Sequence, residues 1–278
     1  MLMDRQQHIS EFLRTRRERL TPKQAGLTRA SGRRRTAGLR REEVALLAGI
    51  SVHYYAKMER GNLDGVSRQV LESLITALQL AGDEAHHLRA LAAPQAEAIT
   101  PTAIGSLRPS LQRLLECITE IPAWFLDDQL TWHGGNALAN VIHRNFLDNT
   151  MNKRNIARYV LTDPNAKKHY LDWSKVADVN AAFLRGSLAK YPHDRKLADL
   201  VAELSAASEE FRERWIRHDV CSHRVGRLRW WLVEVGELNV GLENFPVAAE
   251  PGLTLHTATP EPGSPTEERL RQLAARLS

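Results

Sequence analysis

The chain has 278 residues, 43% hydrophobic and 26% charged, with a net charge of +5 at pH 7 and two cysteines. It is long for one domain, and it has neither a run of eighteen apolar residues nor a charged-then-apolar leader, so a soluble, intracellular protein of two domains is expected, with no membrane span and no signal peptide. Cys117 and Cys221 stand far apart without a CxxC or His-rich motif, which argues against a disulfide or zinc framework and for buried thiols in a reducing compartment.

The charge is unevenly placed. Residues 1–60 hold 14 Lys and Arg against 6 Asp and Glu, a local +8 that leaves −3 for the remainder. A basic first unit on a mildly acidic body points to a polyanionic partner for the first part alone, although a charge surplus by itself also marks an ordinary solvated surface.

The first predicted helix covers residues 9–20, with Ile9, Phe12, Leu13 and Leu20 at helical spacing and Pro22 ending the pattern. Residues 25–39, rich in Gly, Ala and Arg and without periodicity, read as a basic loop. Two short helices over 41–61 follow. Ser67 then caps a helix with Val70, Leu71, Leu74, Ile75 and Leu78 on one face, and residues 83–92 form a fifth helix with Asp83 and Glu84 in its first turn. Prolines and a glycine mark residues 94–107 as a linker.

The second unit opens with a helical run at 111–118 and continues with two extended runs flanking Asp127 and Asp128. It turns helical from about Asn136 to Val220 and closes with three extended runs near 228–235, 237–248 and 253–259; the polar tail past Glu261 reads as a helix. Strands at both ends with helices between them imply one antiparallel sheet covered by helices. The fold class is therefore mainly α with a second α+β domain. The division is a five-helix unit over 1–93, a linker over 94–107, a sheet-containing unit over 108–262 and a tail over 263–278.

The stretch 41–61, REEVALLAGISVHYYAKMERG, carries the most specific pattern. Val44, Ala45 and Ala48 give the first helix a small apolar face that lets another backbone approach closely. Gly49 falls where that helix must stop, Ile50 plugs the turn, and Ser51 is placed to cap the next helix. On the second helix Tyr55 and Met58 share one side with Tyr54 at its margin, while Val52, His53, Ala56 and Lys57 share the other. That outer face suits base edges: Val52 can meet a thymine methyl, His53 a purine acceptor, and Lys57 a guanine or a phosphate. Two angled helices joined by a short glycine turn make a helix-turn-helix. An ordinary helical hairpin is the plain alternative, and His53 taken alone reads equally as a merely exposed residue.

This run resembles the helix-turn-helix of the phage-repressor or Cro family, also called the xenobiotic-response-element family. Glu43, Val44, Ala45, Gly49, Ile50, Ser51, Met58, Glu59 and Gly61 stand at the family's positions. The resemblance implies that Glu59 pairs with Arg17 of the first helix, that Val52, His53 and Lys57 read bases beside the capping Ser51, and that Arg41, Tyr54, Arg60 and Asn62 approach phosphates. The segment between the first two helices is longer than is usual and carries Arg29, Arg33, Arg34 and Arg35. These either touch a phosphate strand or minor groove, or belong to a solvated loop.

All six tryptophans, Trp124, Trp132, Trp173, Trp215, Trp230 and Trp231, lie beyond the linker, at a density that fills a core or lines a cavity. Residues 108–139, 161–173, 204–220 and 235–265 resemble successive blocks of the MmyB-like ligand-binding domain of actinobacterial regulators. The resemblance implies a PAS-like fold with a cavity for a small apolar or fatty-acid-like molecule. Where many members carry a His-Pro pair, this chain has Leu232 and Val233. The candidate ligand contacts are Trp132 and Asn136, at the turn from strand into helix, and Phe211, Trp215 and His218, spaced i, i+4 and i+7; a core-facing stripe is the alternative reading.

No GxSxG, GxxxxGK or HExxH motif occurs, adjacent Asp127 and Asp128 are better explained by turn chemistry than as paired carboxylates, and neither His86 with His87 nor His218 with His223 has metal-ligand spacing and company. The expectation is a non-enzyme: a cytoplasmic bacterial regulator, nucleoid-associated when on DNA, that binds a double-stranded and palindromic operator as a homodimer under control of a small-molecule effector, with no cofactor. A second domain serving only for dimerisation or protein interaction is one alternative, and an enzyme domain fused to a DNA-binding domain is another.

Overall fold

The computed structural model describes residues 5–27, 38–92, 105–221 and 226–277. Five helices build the first unit: α1 (Arg5–Arg19), α2 (Arg41–Ala48), α3 (Val52–Glu59), α4 (Arg68–Ala77) and α5 (Asp83–Ala92). Their apolar stripes converge on one core, where Ile9, Phe12 and Leu13 of α1 meet Val44 of α2, Tyr55 and Met58 of α3, Leu74 of α4 and Leu88 of α5. The first helix starts at Arg5 rather than at Ile9, and the extra turn brings His8 into buried surroundings.

Gly61 shows how tightly α1 sits on the exit of α3. Its φ is +98°, and a Cβ there would run into the backbone of Gln6. Only glycine meets both conditions.

The second unit begins with α6 (Pro109–Cys117), the hairpin of β1 (Ala123–Asp127) and β2 (Trp132–Gly135), and the short helices α7 (Ala137–Ile142) and α8 (Arg144–Asp148). A 3₁₀ turn over Thr150–Asn152 leads to α9 (Ile156–Thr162), α10 (Pro164–His169), α11 (Trp173–Lys190), α12 (Arg195–Ala207) and α13 (Glu209–Ile216). Three strands, β3 (Gly226–Leu232), β4 (Gly236–Pro246) and β5 (Leu253–Pro260), and a last helix, α14 (Pro265–Ala275), complete it. The five strands form one antiparallel sheet in the order β2-β1-β5-β4-β3, so the first hairpin and the last strand meet in the middle. The expected sheet covered by helices is thus observed.

One face of the sheet carries the main core. Trp124 and Leu126 of β1, Trp230 and Leu232 of β3, Leu238 and Val240 of β4 and Ala258 of β5 pack there against the helices. A smaller cluster of Leu107, Leu115, Ala123, Phe125 and Leu253 lies under α6 on the opposite face. The tail read as polar departs from expectation, because α14 sends Leu270 and Leu273 into the main core. Cys117 departs as well: it is exposed on α6 rather than buried, while Cys221 is half-buried and the two form no disulfide.

The aspartates at the β1–β2 turn point apart, as adjacent residues on a hairpin do. Asp127 accepts from the Gln129 and Thr131 N–H groups, whereas Asp128 takes the Lys190 ammonium at 2.8 Å and the Tyr191 hydroxyl at 2.6 Å. No helix among the described residues is long and apolar enough to cross a membrane.

The two units touch along α1 and α5 on one side and α11 and the segment after α13 on the other. Ala189 and Val220 pack onto the five-helix core. Arg16 donates to the His218 carbonyl at 2.6 Å and faces Glu84 at 2.8 Å, and Arg19 donates to the Arg217 carbonyl at 2.8 Å and to the Asp219 carboxylate at 2.5 Å.

Candidate functional sites

The first site is the outer face of α3. Gly49 adopts a left-handed conformation, φ 66° and ψ 33°, and ends α2; the Ile50 N–H then closes onto the Ala45 carbonyl at 3.0 Å. Ser51 caps α3, its hydroxyl accepting from the Tyr54 N–H at 3.1 Å. With both ends of the turn fixed, Tyr55 and Met58 are buried, and Val52, His53 and Lys57 stand exposed on the far side, Val52 at 47%. Arg60, at the C-terminal cap, is exposed too.

A buried carboxylate holds this helix in place. Glu59 is 3% exposed and receives the Arg17 Nε at 2.6 Å, the Arg41 Nε on its other oxygen and the Tyr55 hydroxyl at 3.3 Å. Arg17 also donates to the Leu39 carbonyl at 2.9 Å, so α1, the entry to α2 and α3 share one polar knot. Burial alone would raise the Glu59 carboxyl; the two guanidinium groups outweigh it and hold the group below the usual carboxylate range.

Arg41 therefore braces Glu59 while its side chain stays 56% exposed, a role not expected from the sequence. Asn62 accepts from the Asp64 N–H at 3.1 Å and shapes the turn after α3, and Tyr54 is half-buried. Arg29, Arg33, Arg34 and Arg35 lie outside the described residues.

The second site is a cluster of rings on the inner face of the sheet. Trp132, Trp124 and His256, on the neighbouring strands β2, β1 and β5, stand in a nearly parallel row with centroids 6.0 and 5.7 Å apart. His143, at the junction of α7 and α8, lies over this row, its centroid 5.3 Å from those of Trp124, Trp132 and Trp230 and 5.5 Å from that of His169. A cavity of about 20 Å³ remains, lined by Trp124, His143, Ile156, Tyr170, Trp230 and His256 with two leucines.

Among the described residues, no hydrogen-bond partner reaches Trp132 Nε1, Trp230 Nε1 or His169 Nε2. Burial pushes the His169 imidazole down to about 4, against a backbone hydrogen bond at Trp231 that raises it.

Of the five side chains expected to meet a ligand, Trp132 alone joins this cluster. Asn136 spends its amide on structure: it donates to the Ile118 and Ile121 carbonyls at 2.6 and 2.7 Å and accepts from the Ala123 and Ala139 N–H groups. Phe211 is fully buried and stacks on Trp215, over whose ring the Arg185 guanidinium also lies at 4.0 Å. His218 sits in the seam between the units, 3.4 Å from the Glu11 carboxylate. Burial, with Arg185 and Arg16 nearby, pushes its imidazole down to about 3, so it is neutral near pH 7. The i, i+4 spacing brings Phe211 and Trp215 together, but the helix ends before His218, whose φ of +53° turns it away.

The missed members, His143, His169, Tyr170, Trp230 and His256, had a partial signal. Trp230 alternates with Leu228 and Leu232, and His256 with Ala258, as inward strand positions do. A larger cleft of about 520 Å³ opens to solvent beside Trp231, but its cations are already engaged, Arg227 with Glu261 and Arg269 with the Glu237 carbonyl. No group of three or more His, Cys, Asp or Glu suited to a metal ion occurs among the described residues.

Two family models match along the chain. Residues 107–273 match the family model described as the MmyB-like transcription regulator ligand binding domain, and residues 8–88 match a helix-turn-helix domain. No curated protein matches the chain.

Proposed function

The chain belongs to the MmyB-like transcription regulators, a helix-turn-helix domain joined to a ligand-binding domain, and we propose that α3 reads operator bases through Val52, His53 and Lys57 while a small apolar effector in the second unit modulates that contact. The observation that carries the DNA reading is the exposure of these three side chains on a helix otherwise anchored by Tyr55, Met58 and Glu59. An apolar residue, an imidazole and an ammonium in one row offer a methyl contact and two donors to a major-groove edge. Arg60, exposed at the end of α3, is assigned to phosphate.

A single helix of eight residues reads few base pairs, so a homodimer on a palindrome with half-sites about one helical turn apart is part of the proposal. Supporting a PAS-like effector domain are the five-stranded antiparallel sheet and the ring-lined interior beneath its helices. Enzymatic activity is not part of this reading.

The test is a binding titration on operator fragments recovered by genome-wide pull-down and on random duplex. Lys57→Ala and His53→Ala are each expected to cost about 1–3 kcal/mol on the operator and to relax base preference, whereas Arg60→Ala weakens both duplexes alike and flattens the salt dependence. Equal losses on both duplexes for Lys57→Ala and His53→Ala would reject the assignment of readers.

A further inference from the structure

We infer that the open cleft on the outer face of the sheet is a second small-molecule site, one that takes a zwitterion of the α-amino acid class with an aromatic side chain. It is separate from the interior ring cluster, because Trp230 faces inward on β3 while Trp231, its neighbour, faces outward.

The cleft, of about 520 Å³, follows from where three residues of β3 go. Arg227, Arg229 and Trp231 alternate with the inward residues of the strand, and the rise of a strand sets the first and last about 13 Å apart. Arg229, between them, is drawn aside by Asp172 at 2.7 and 2.9 Å and does not line the cleft. Trp231, 50% exposed, lies over Gly236, where a Cβ would stand 3.9 Å from its ring. Arg227 reaches Glu261 at 2.9 Å. The space thus has an aromatic end and a charged end.

Asn239 lies between these ends. Its neighbours Leu238 and Val240 enter the main core, so its own side chain takes the outer face, where it lines the cleft. The Thr266 hydroxyl accepts from its backbone N–H at 3.0 Å, but its side-chain oxygen, shielded from solvent, has no hydrogen-bond partner among the described residues. A buried acceptor without a partner calls for a donor.

Charge selects the class of ligand. The lining carries both signs in balance, Arg227 and Arg269 against Glu237 and Glu261. A carboxylate alone would face two carboxylates, an ammonium alone would face two guanidinium groups, and an apolar molecule would desolvate all four. A zwitterion meets each sign with its opposite. The arginines are open to exchange: the Arg227–Glu261 pair is 63% exposed on both sides, and exposed pairs hold weakly, while Arg269 spends one nitrogen, Nη1, on the Glu237 carbonyl. An α-ammonium carboxylate entering between Arg227 and Glu261 replaces one exposed pair by two. Its ammonium has a further proton for Asn239, and an aromatic side chain then rests on Trp231.

Three probes that share one ring test this on the full chain: L-phenylalanine, 3-phenylpropionate, which lacks the ammonium, and 2-phenylethylamine, which lacks the carboxylate. Calorimetric titration should give phenylalanine an affinity at least about tenfold above that of either analogue. The Trp231 indole N–H resonance, assigned by its loss in Trp231→Phe, should move with phenylalanine. Arg227→Gln, at an exposed position, should bring phenylalanine down to the affinity of phenylethylamine. Equal or tighter binding of either analogue would overturn the zwitterion class. Binding of none of the three, or binding that leaves the Trp231 resonance and the Arg227→Gln affinity unchanged, would overturn the site. A dimer that Trp231→Ala converts to monomer in light scattering would assign the cleft to a second copy of the chain and overturn the inference as well. The effector reading of the interior stands apart from all these outcomes, since Trp231 does not line that cavity.

Discussion

At the scale of single residues, Glu59 decides whether α3 is presented at all. Its carboxylate is enclosed by two guanidinium groups and a phenol, and removing the charge strands two arginines around a neutral group. Glu59→Gln is expected to destabilise the first unit by about 3–5 kcal/mol, read by urea denaturation, because breaking one side of a buried ion pair leaves the other uncompensated. The Arg17 pairing was expected only through the resemblance to the phage-repressor family, which implies it. The contributions of Arg41 and Tyr55 were not, since a sequence shows which residues share a helix face but not how far a long guanidinium reaches across to another helix. Arg41→Ala should accordingly lower stability as well as DNA affinity, and a fair test of phosphate contact uses Arg60.

Acid sensitivity follows from the same residues, with signs that agree. Glu59 titrates below its ordinary value of 4.5 when folded, so its contribution is complete above that value and is lost as the pH falls through the folded one. His169 is depressed from 6.5 to about 4; between those values the unfolded chain binds a proton that the folded chain refuses, and stability falls as the pH falls. Denaturation midpoints should thus be flat above about pH 7 and decline from about pH 6.5 downward. His169→Phe should shrink the decline between 6.5 and 4.

At the scale of elements, the two glycines bounding α3 separate two kinds of constraint. A side chain at Gly49 would meet open space but must keep φ at 66°, whereas one at Gly61 would meet the Gln6 backbone as well. Gly49→Ala is expected to cost about 1–2 kcal/mol from backbone conformation alone, and Gly61→Ala more, because α1 must also shift. Thermal unfolding of the two variants checks the order.

Helices and strands were legible here because caps, glycine stops and apolar periods are local. The hairpin at Asp127, the capped α4 and the three closing strands all carried such marks. The role of α14 was not legible: Leu270 and Leu273 lie in a stretch dominated by charge, and only the position of the sheet beneath makes those two leucines core residues. The ring cluster was hidden for a related reason. Its members come from β1, β2, β3, β5 and the ends of helices, and no spacing along the chain records that these meet.

At the scale of the whole molecule, the seam joins the two units through apolar and charged contacts. Arg16 is 3% exposed, with Glu84 at 2.8 Å and the carboxylate of Asp219 at 3.9 Å, so Arg16→Ala leaves the attachment of α1 to the second unit without its buried cation. The unmodified chain should melt in one calorimetric transition and the variant in two. The other end of the connection reaches the rings: Tyr170 lines the cavity and lies three residues before the start of α11, whose far end carries Ala189 to the five-helix unit.

Arg16 and Arg17 are successive residues of one helix, about 100° apart around its axis. The first is gripped by the second unit and the second by Glu59. Turning α1 about its long axis would strain both grips together, so, on the function proposed above, α1 is the cam through which a few degrees of roll imposed from the second unit would alter the pitch of α3.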